Sequence, residues 1–182
     1  MSRSAGLAVV LALLCASTAG ARTLGERTLG KGDRGGDVVT LQRVLAKRGF
    51  SPGAPDGVFG RITKVAVKRF QKRRGLYADG RVGPLTTHAL ADAWPVKTAT
   101  FYGPGLYGNG TACGQKLRKG MLGVAHRSLP CGTRVFVYAN GRLRGFLVID
   151  RGPYKSGIAL DLTKAAATKL GMTTTQAVRF GW

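Results

Sequence analysis

The sequence predicts an α+β chain of two small domains, a three-helix module at 29–92 followed by a small β-barrel at 99–182. Two observations predict this division. Helical spacing and a repeated turn motif fill the first range, whereas the second carries short runs of β-branched and aromatic residues, which are typical of strands. Trp94-Pro95 interrupts the helical pattern between them. We therefore expect a linker at 93–98.

The first 21 residues predict a signal peptide. Arg3 supplies a positive start, an apolar run follows, and Ala19-Gly20-Ala21 offers the small residues that a signal peptidase recognises. The apolar run is shorter than the ~20 residues that span a bilayer. We expect cleavage after Ala21, a secreted product with no transmembrane segment, and a flexible stretch at 22–28.

The chain is strongly basic, with 29 Lys and Arg against 8 Asp and Glu and a formal net charge of +21. Such a charge favours anionic polymers as partners. The run from Lys68 to Arg74 is either a solvated helix face or an attachment surface for such a polymer. Nucleic acid is less suitable, because export is predicted and the sequence carries no recognised nucleic-acid fold. We expect a monomer that binds an anionic polymer and no specific nucleic acid.

Two cysteines, Cys113 and Cys131, remain after the predicted cleavage. An even pair in an exported protein favours a disulfide. The alternative is a pair of zinc ligands, but zinc needs about four ligands, and His88 and His126 are the other candidates. The sequence therefore predicts a disulfide, with no metal and no cofactor.

One unit occurs twice in the first half, beginning at Asp56-Gly57 and again at Asp79-Gly80. Both copies read Asp-Gly-x-x-Gly-x-x-Thr-x-x-Ala. Asp-Gly favours a tight turn, because glycine accepts positive φ and aspartate bonds its own backbone. The second glycine of each unit precedes a predicted helix.

Three helices are predicted from spacing and end signals. The first has Asp37 as its N-cap and ends at Gly49. The third runs from Pro84 to Asp92. The second ends at Gly75 and carries an apolar stripe made of Ile62, Val65, Ala66 and Phe70.

These turn and core residues resemble the peptidoglycan-binding-domain-1 family. The resemblance covers Leu29 to Leu90 and includes Gly36, Leu41-Gln42, Gly49-Phe50, Asp56-Gly57, Phe59-Gly60, Phe70-Gln71, Asp79-Gly80 and Val82-Gly83. It implies a module that holds its partner domain against cell-wall glycopeptide.

Strand signals dominate the second half. Arg134 to Tyr138 and Gly145 to Asp150 are strand-like runs, and Asn140-Gly141 between them predicts a hairpin. Ile158 to Leu162 is a further strand candidate. Thr163 then caps a predicted short helix.

Only two acids lie in this half, Asp150 and Asp161. Asp150 ends an apolar strand, and Asp161 alternates with Leu160 and Leu162, so it faces the opposite side. Burial would raise the pKa of Asp161, and a general acid needs a raised pKa at neutral pH. The structural alternatives are that Asp150 pairs with Arg151 or a turn amide, and that Asp161 caps the following helix.

The second half resembles the rare-lipoprotein-A-like double-psi β-barrel. The resemblance covers Ala99 to about Met172 and includes Phe101-Tyr102-Gly103, Thr111-Ala112, Ala125-His126-Arg127, Asp150-Arg151-Gly152-Pro153-Tyr154 and Leu160-Asp161-Leu162. It implies a six-stranded barrel. The family includes lytic transglycosylases, which cut between N-acetylmuramate and N-acetylglucosamine and leave a 1,6-anhydro end.

The resemblance also implies site residues. Active members use the counterparts of Asp150 and His126, together with a Glu where this sequence has Gln115. Glutamine cannot exchange a proton and can only orient a sugar or water. If the protein is an enzyme, Asp150 is the expected proton donor, with Asp161 and His126 in support. The alternative is a non-catalytic, expansin-like protein that binds or loosens the wall.

The remaining site candidates are residues that would contact a sugar beside these groups. Tyr102 and Tyr154 could stack on sugar rings, although such aromatics also serve as core residues. With Gln115, the candidates for substrate binding are Tyr102, Thr111, Arg151 and Tyr154.

Overall fold

The computed structural model describes residues 22–182, so the predicted signal peptide lies outside the described residues. Three helices come first: α1 (Gly36–Lys47), α2 (Arg61–Arg73) and α3 (Pro84–Ala91). Six strands and a short helix follow: β1 (Val96–Tyr102), β2 (Gly123–Ala125), β3 (Arg134–Ala139), β4 (Arg142–Asp150), β5 (Ile158–Thr163), α4 (Lys164–Lys169) and β6 (Gln176–Gly181). The predicted α+β class with two domains is confirmed.

A buried glutamine organises the first Asp-Gly turn. The side-chain amide of Gln42, on α1, donates to Asp56 Oδ1 at 2.8 Å and to the Val58 carbonyl at 3.1 Å. Its oxygen accepts the Gly57 N–H at 3.0 Å. Gln42 is 1% exposed. The turn is therefore tied to α1 by a buried side chain whose oxygen and nitrogen are both bonded, as a buried amide requires.

The second turn repeats this arrangement around Gln71, on α2. Its amide donates to Asp79 Oδ1 and to the Arg81 carbonyl, each at 2.8 Å. Its oxygen accepts the Gly80 N–H at 2.9 Å. The sequence repeat thus corresponds to a repeated hydrogen-bond network, in which each helix holds the turn that precedes the next helix.

The buried face of α2 differs from the predicted stripe. Ile62 and Val65 are 59% and 42% exposed. The buried residues are Thr63, Ala66, Val67, Phe70 and Gln71. Two of these are polar, and Thr63 Oγ1 donates to the Pro52 carbonyl at 3.0 Å. The helix is rotated from the expected face because its polar residues serve the turn networks.

Asp37 is not the N-cap of α1. That position is Gly35, with φ 136°, and it makes no side-chain cap bond. Asp37 lies in the first turn, is 1% exposed and forms an ion pair with Arg27 at 2.8 Å. The carboxylate therefore joins the N-terminal segment to α1 instead of capping the helix.

The strands close into a barrel in the order β1-β5-β2-β4-β3-β6. The Asn140-Gly141 hairpin forms as predicted, with φ 49° and 74° at these residues and β3 antiparallel to β4. Thr163 also caps α4, because its hydroxyl accepts the Ala166 N–H at 3.2 Å. The barrel interior is filled by a second apolar cluster that includes Val124, Val148, Leu160 and Leu162.

The two domains share an apolar core. Phe136 and Leu143 of the β3–β4 hairpin belong to the same buried cluster as the helical residues, together with Leu24 and Leu29. Trp94 stacks on Phe136 with ring centroids 6.1 Å apart. The barrel is therefore packed against the helical module and not merely tethered to it.

The segment expected to be flexible, 22–28, is part of this contact. Thr23 and Leu24 are fully buried, and Leu24 exchanges two backbone hydrogen bonds with Leu143, at 3.2 and 2.8 Å. The apolar side chain of Leu24 explains the difference, because it fills space beside the hairpin. β1 begins at Val96, so the expected linker at 93–98 is already strand in its second half.

Across residues 22–182, the helices are all too short or too polar to cross a membrane.

Candidate active site

Strand β2 brings the two acids of the barrel together. It lies between β5 and β4 in the sheet, and Ala125 pairs with Asp161 on one side and Asp150 on the other. A register shift between Val124 and Ala125 sets Asp150, and not Ile149, beside Ala125. Bulges commonly redirect a side chain at a functional site. The two aspartates thus flank one residue on adjoining strands.

Asp161 is half-buried, and its Oδ1 is a buried atom without a hydrogen-bond partner among residues 22–182. Its neighbours Leu160 and Leu162 belong to the barrel core, so its side chain faces the other side of β5, as the alternation predicts. Burial, and secondly the charge of Asp150, raises the pKa of Asp161 to about 6. Thr163, and not Asp161, caps the following helix.

Asp150 has a different environment. Its Oδ1 accepts the backbone N–H groups of Ala112 and Arg151, each at 2.8 Å. Oδ1 is therefore engaged by two backbone donors, and Oδ2 is the carboxylate oxygen left to contact a ligand.

Tyr102 lies beside both acids. Its hydroxyl oxygen is buried, and no hydrogen bond of standard geometry links it to another described residue. Burial first, then the charges of Asp150 and Asp161, raise its pKa well above the ordinary value. The tyrosine therefore stays protonated and faces the acids with a hydroxyl, which suits a hydrogen-bond donor better than a stacking platform.

His126 directly follows β2, and its backbone N–H donates to the Asp150 carbonyl at 3.2 Å. Its Nδ1 accepts the backbone N–H groups of Ser128 and Leu129, at 3.2 and 3.1 Å. Burial, with the charges of Arg151 and Arg127, lowers its pKa. The neutral ring therefore carries its proton on Nε2, which can donate but not accept.

The loop from Thr111 to Gln115 lies over Asp150. Thr111 Oγ1 accepts the Gln115 N–H at 3.3 Å, and the Thr111 N–H donates to the Gln115 carbonyl. Cys113 is bonded to Cys131, which confirms the predicted disulfide. The side chain of Gln115 is exposed. A covalent tether thus holds the loop that supplies one of the N–H donors to Asp150.

The other predicted sugar contacts lie at the rim. Tyr154 is 82% exposed, as a surface aromatic would be, and Arg151 is half-buried with Nη1 3.4 Å from the Asp150 carbonyl. A cavity of about 400 Å³ adjoins His126 and is also lined by Lys97, Arg127, Ser128, Gly157, Ile158 and Ala159. Asp150 and Asp161 do not line this cavity, so it extends the site to one side.

Arg127 is a site residue that sequence reasoning did not single out. Its guanidinium donates to the carbonyl groups of Pro153, Lys155 and Ile158. It therefore shapes the loop between β4 and β5, beside Tyr154. The signal was its position in the Ala-His-Arg motif, directly after the candidate histidine.

No group of three or more His, Cys, Asp or Glu side chains within residues 22–182 is placed to hold a metal ion.

Comparison with known families divides the chain at the same place as the fold. A family described as a peptidoglycan binding domain matches residues 34–90, and a family described as "Lytic transglycolase" matches residues 100–181. Residues 34–90 are thus similar to the first family, and residues 100–181 to the second. We call the two parts the peptidoglycan-binding module and the RlpA-like barrel, after the relatives of the second part.

Relatives match one part or the other. A protein from Synechocystis sp. named "Probable endolytic peptidoglycan transglycosylase RlpA" is 42% identical over 76 residues, 41% of this chain and 24% of the relative. A "Spore cortex-lytic enzyme" from Bacillus cereus is 40% identical over 68 residues, 37% of this chain and 26% of the relative. The chain spans about a quarter of the length of these curated relatives.

A solved structure was also similar. The matched part of the crystal structure of the SleB N-terminal domain is 40% identical to this chain. The match covers 37% of this chain and 92% of the SleB domain, with a TM-score of 0.36.

Proposed function

We propose that the protein is exported to the cell wall, where the peptidoglycan-binding module attaches to peptidoglycan and the RlpA-like barrel cleaves glycan strands as a lytic transglycosylase. The observation that carries this proposal is the pair Asp150 and Asp161. The two acids flank Ala125, yet one has two N–H donors and the other has a raised pKa. Paired carboxylates in unlike environments are the arrangement that divides acid from base.

Asp161 is the proton donor in this proposal. A glycosidic oxygen must be protonated as its bond to C1 breaks and the sugar gains oxocarbenium character. With a pKa raised to about 6, the Asp161 carboxyl keeps its proton over a pH range in which an ordinary aspartate has lost it.

Asp150 is the proton acceptor. The 6-hydroxyl of the muramate attacks C1, and its proton passes to the Asp150 carboxylate, which closes the 1,6-anhydro ring. Oδ1 is engaged by Ala112 and Arg151, which leaves Oδ2 for this proton. The proton gained by Asp150 balances the one that Asp161 gives to the leaving oxygen.

His126 and Tyr102 act as donors and not as bases. Nδ1 of His126 is occupied by two backbone N–H groups, so its Nε2–H is left to bond a sugar oxygen. The Tyr102 hydroxyl, beside both acids, is suited to hold the acceptor carboxylate or the substrate in place.

A second candidate function is a non-catalytic, expansin-like binding or loosening of the wall. Gln115 favours it, because an exposed amide stands where the family resemblance implies a glutamate, and an amide transfers no proton. In this case the acids would bind sugar hydroxyls without cleaving the strand.

The decisive experiment incubates the mature protein with purified peptidoglycan and analyses the soluble products by mass spectrometry. We expect anhydro-muropeptides from the wild type, and none above background from Asp150→Asn. Gln115→Glu serves as the matched variant, and we expect it to increase the rate if the amide limits catalysis.

Three outcomes are distinguishable. Reducing ends in place of anhydro ends would make the barrel a hydrolase. Binding to the wall without product from any form, including Gln115→Glu, would overturn the enzymatic proposal and leave the expansin-like function. Failure to sediment with peptidoglycan would overturn the attachment role as well.

A further inference from the structure

Three arginines from both domains converge on a cleft between the peptidoglycan-binding module and the RlpA-like barrel. Arg43 comes from α1, whereas Arg134 and Arg144 come from β3 and β4. They line one cavity of about 170 Å³, together with Thr40 and Phe136. This cleft is separate from the acids of the candidate active site and from the basic run on α2.

The floor of the cleft depends on a glycine. Gly145 pairs with Phe136 across the β3–β4 hairpin. A Cβ at residue 145 would lie 3.1 Å from the Phe136 ring and 3.4 Å from Cδ of Arg134. Because Gly145 has no side chain, the Phe136 ring and the aliphatic part of Arg134 can pack closely against it. This packing holds the Arg134 side chain in position.

The positive charges that Arg43 and Arg134 bring to the cleft have no ion-pair partner among the described residues. The ion pairs within residues 22–182 are Arg27–Asp33, Arg27–Asp37 and Arg74–Asp92, so neither Arg43 nor Arg134 takes part in one. Burial, and secondly the charge of Arg43, lowers the pKa of Arg134.

One acid, Glu26, lies near the third arginine. It raises the pKa of Arg144, which burial lowers, and Arg144 also donates to Thr23 Oγ1 at 3.4 Å. No acid lines the cleft itself. Half-buried like charges repel one another in a low-dielectric setting, and a bound anion would relieve that repulsion.

We propose that this cleft binds a phosphate group, carried as a monoester or diester by an anionic polymer. The guanidinium groups of Arg43 and Arg134 offer forked pairs of N–H donors, which match the terminal oxygens of a phosphate, three in a monoester and two in a diester. The volume of about 170 Å³ is below the range of about 300–1,000 Å³ of sites for whole small molecules. It suits one charged group of a longer chain.

The proposal does not rest on glycan cleavage by the barrel. Because the ligand would contact α1 on one side and β3–β4 on the other, its binding would hold the two domains together. A phosphate polymer of the wall would then stabilise the protein as well as retain it.

The test is calorimetric titration of the mature protein at constant ionic strength with three probes: inorganic phosphate, glycerol 1-phosphate and the diester glycerophosphoglycerol. The test variant is Arg43→Gln with Arg134→Gln. The control is Lys47→Gln with Lys119→Gln, which removes the same charge from two exposed positions. Charge-assisted bonds of this kind predict a loss of affinity of about tenfold or more in the test variant, and little change in the control.

The outcomes either support or overturn the proposal. Tighter binding of glycerol 1-phosphate would indicate that the cleft takes a terminal phosphate of the polymer. Tighter binding of glycerophosphoglycerol would indicate an internal phosphate. Equal affinity in all three proteins, or an equal loss in both variants, would show that only net charge matters and would overturn it. Thermal unfolding gives a second readout, because phosphate should raise the Tm of the wild type and not of the test variant. Arg43→Gln alone repeats the titration if the double variant does not fold.

Discussion

The helical module and the barrel use aspartate in opposite ways. In the module, Asp56 and Asp79 receive backbone N–H bonds and a glutamine amide, and the backbone bonds are the main cause of their lowered pKa values. In the barrel, Asp161 has a buried oxygen without such a donor, and its pKa is raised. The same side chain fixes a turn where local N–H groups stabilise its charge, and can carry a proton where burial opposes that charge.

The largest expected effect comes from making one substitution in both regions. Asp161→Asn should reduce the rate of glycan cleavage by about 10²–10⁴, because a general acid is lost. Asp79→Asn should leave that rate unchanged, because its carboxylate shapes a turn. Release of anhydro ends from solubilised glycan strands measures both. Similar losses in the two variants would remove the contrast between the regions.

The disulfide of the barrel gives the next largest effect. Replacing Cys113 and Cys131 with Ser should lower the free energy of unfolding by about 3 kcal/mol, since the bond closes a loop with a sequence separation of 18. Urea unfolding with and without a reductant measures this. The reduced wild type is the control and should match the double variant. A variant as stable as the oxidised protein would contradict the expectation.

A smaller loss is expected at the turn networks of the module. Gln42→Ala and Gln71→Ala should each cost about 1–3 kcal/mol, because each leaves a buried N–H and carboxylate contact unmade. Gln115→Ala, at an exposed position, is the control and should not alter stability. Unequal losses at the two glutamines, measured by urea unfolding, would mean that the repeats are alike in geometry but not in energy.

The smallest effect concerns pH. Because the folded pKa of Asp161 is raised to about 6, the native state retains a proton that the unfolded chain has lost. Stability should therefore fall as pH rises from about 4 to about 6, and Asp161→Asn should remove that slope. Asp56 and Asp79, with lowered pKa values, should contribute the opposite slope as pH falls below about 4. Urea midpoints from pH 3 to 7, taken as differences from the wild type, measure both.

Local signals predicted the elements that depend on local chemistry. Asn140-Gly141 predicted the hairpin and Thr163 predicted the cap of α4. Both predictions succeeded because a turn and a helix cap depend on contacts within a few residues of the chain. The Asp-Gly turns were predicted, but their glutamine partners were not. Gln42 and Gln71 reach the turns through tertiary packing, and nothing in their own neighbourhood marks them as buried.

The sequence predicted that Asp150, Asp161 and His126 lie near one another, but not the hydrogen bonds that surround each of them. Sequence alternation placed Asp161 away from the core, but β2 has only three residues and gave no strand signal. The register shift beside Ala125, and the N–H donors from Ala112 and Arg151, give the two acids their different surroundings. These are long-range contacts, which is why the sequence suggests Asp150 as the proton donor whereas we propose Asp161.

The shared apolar cluster has a practical consequence for dissecting the protein. A barrel expressed from residue 95 onward would lose Leu24, Leu29 and the Trp94 ring that cover Phe136 and Leu143. The uncovered hairpin would expose an apolar surface, which favours self-association. Deletion studies that seek the separate contributions of the two parts should therefore use point substitutions in the intact chain, or replace Phe136 and Leu143 with polar residues in any isolated barrel.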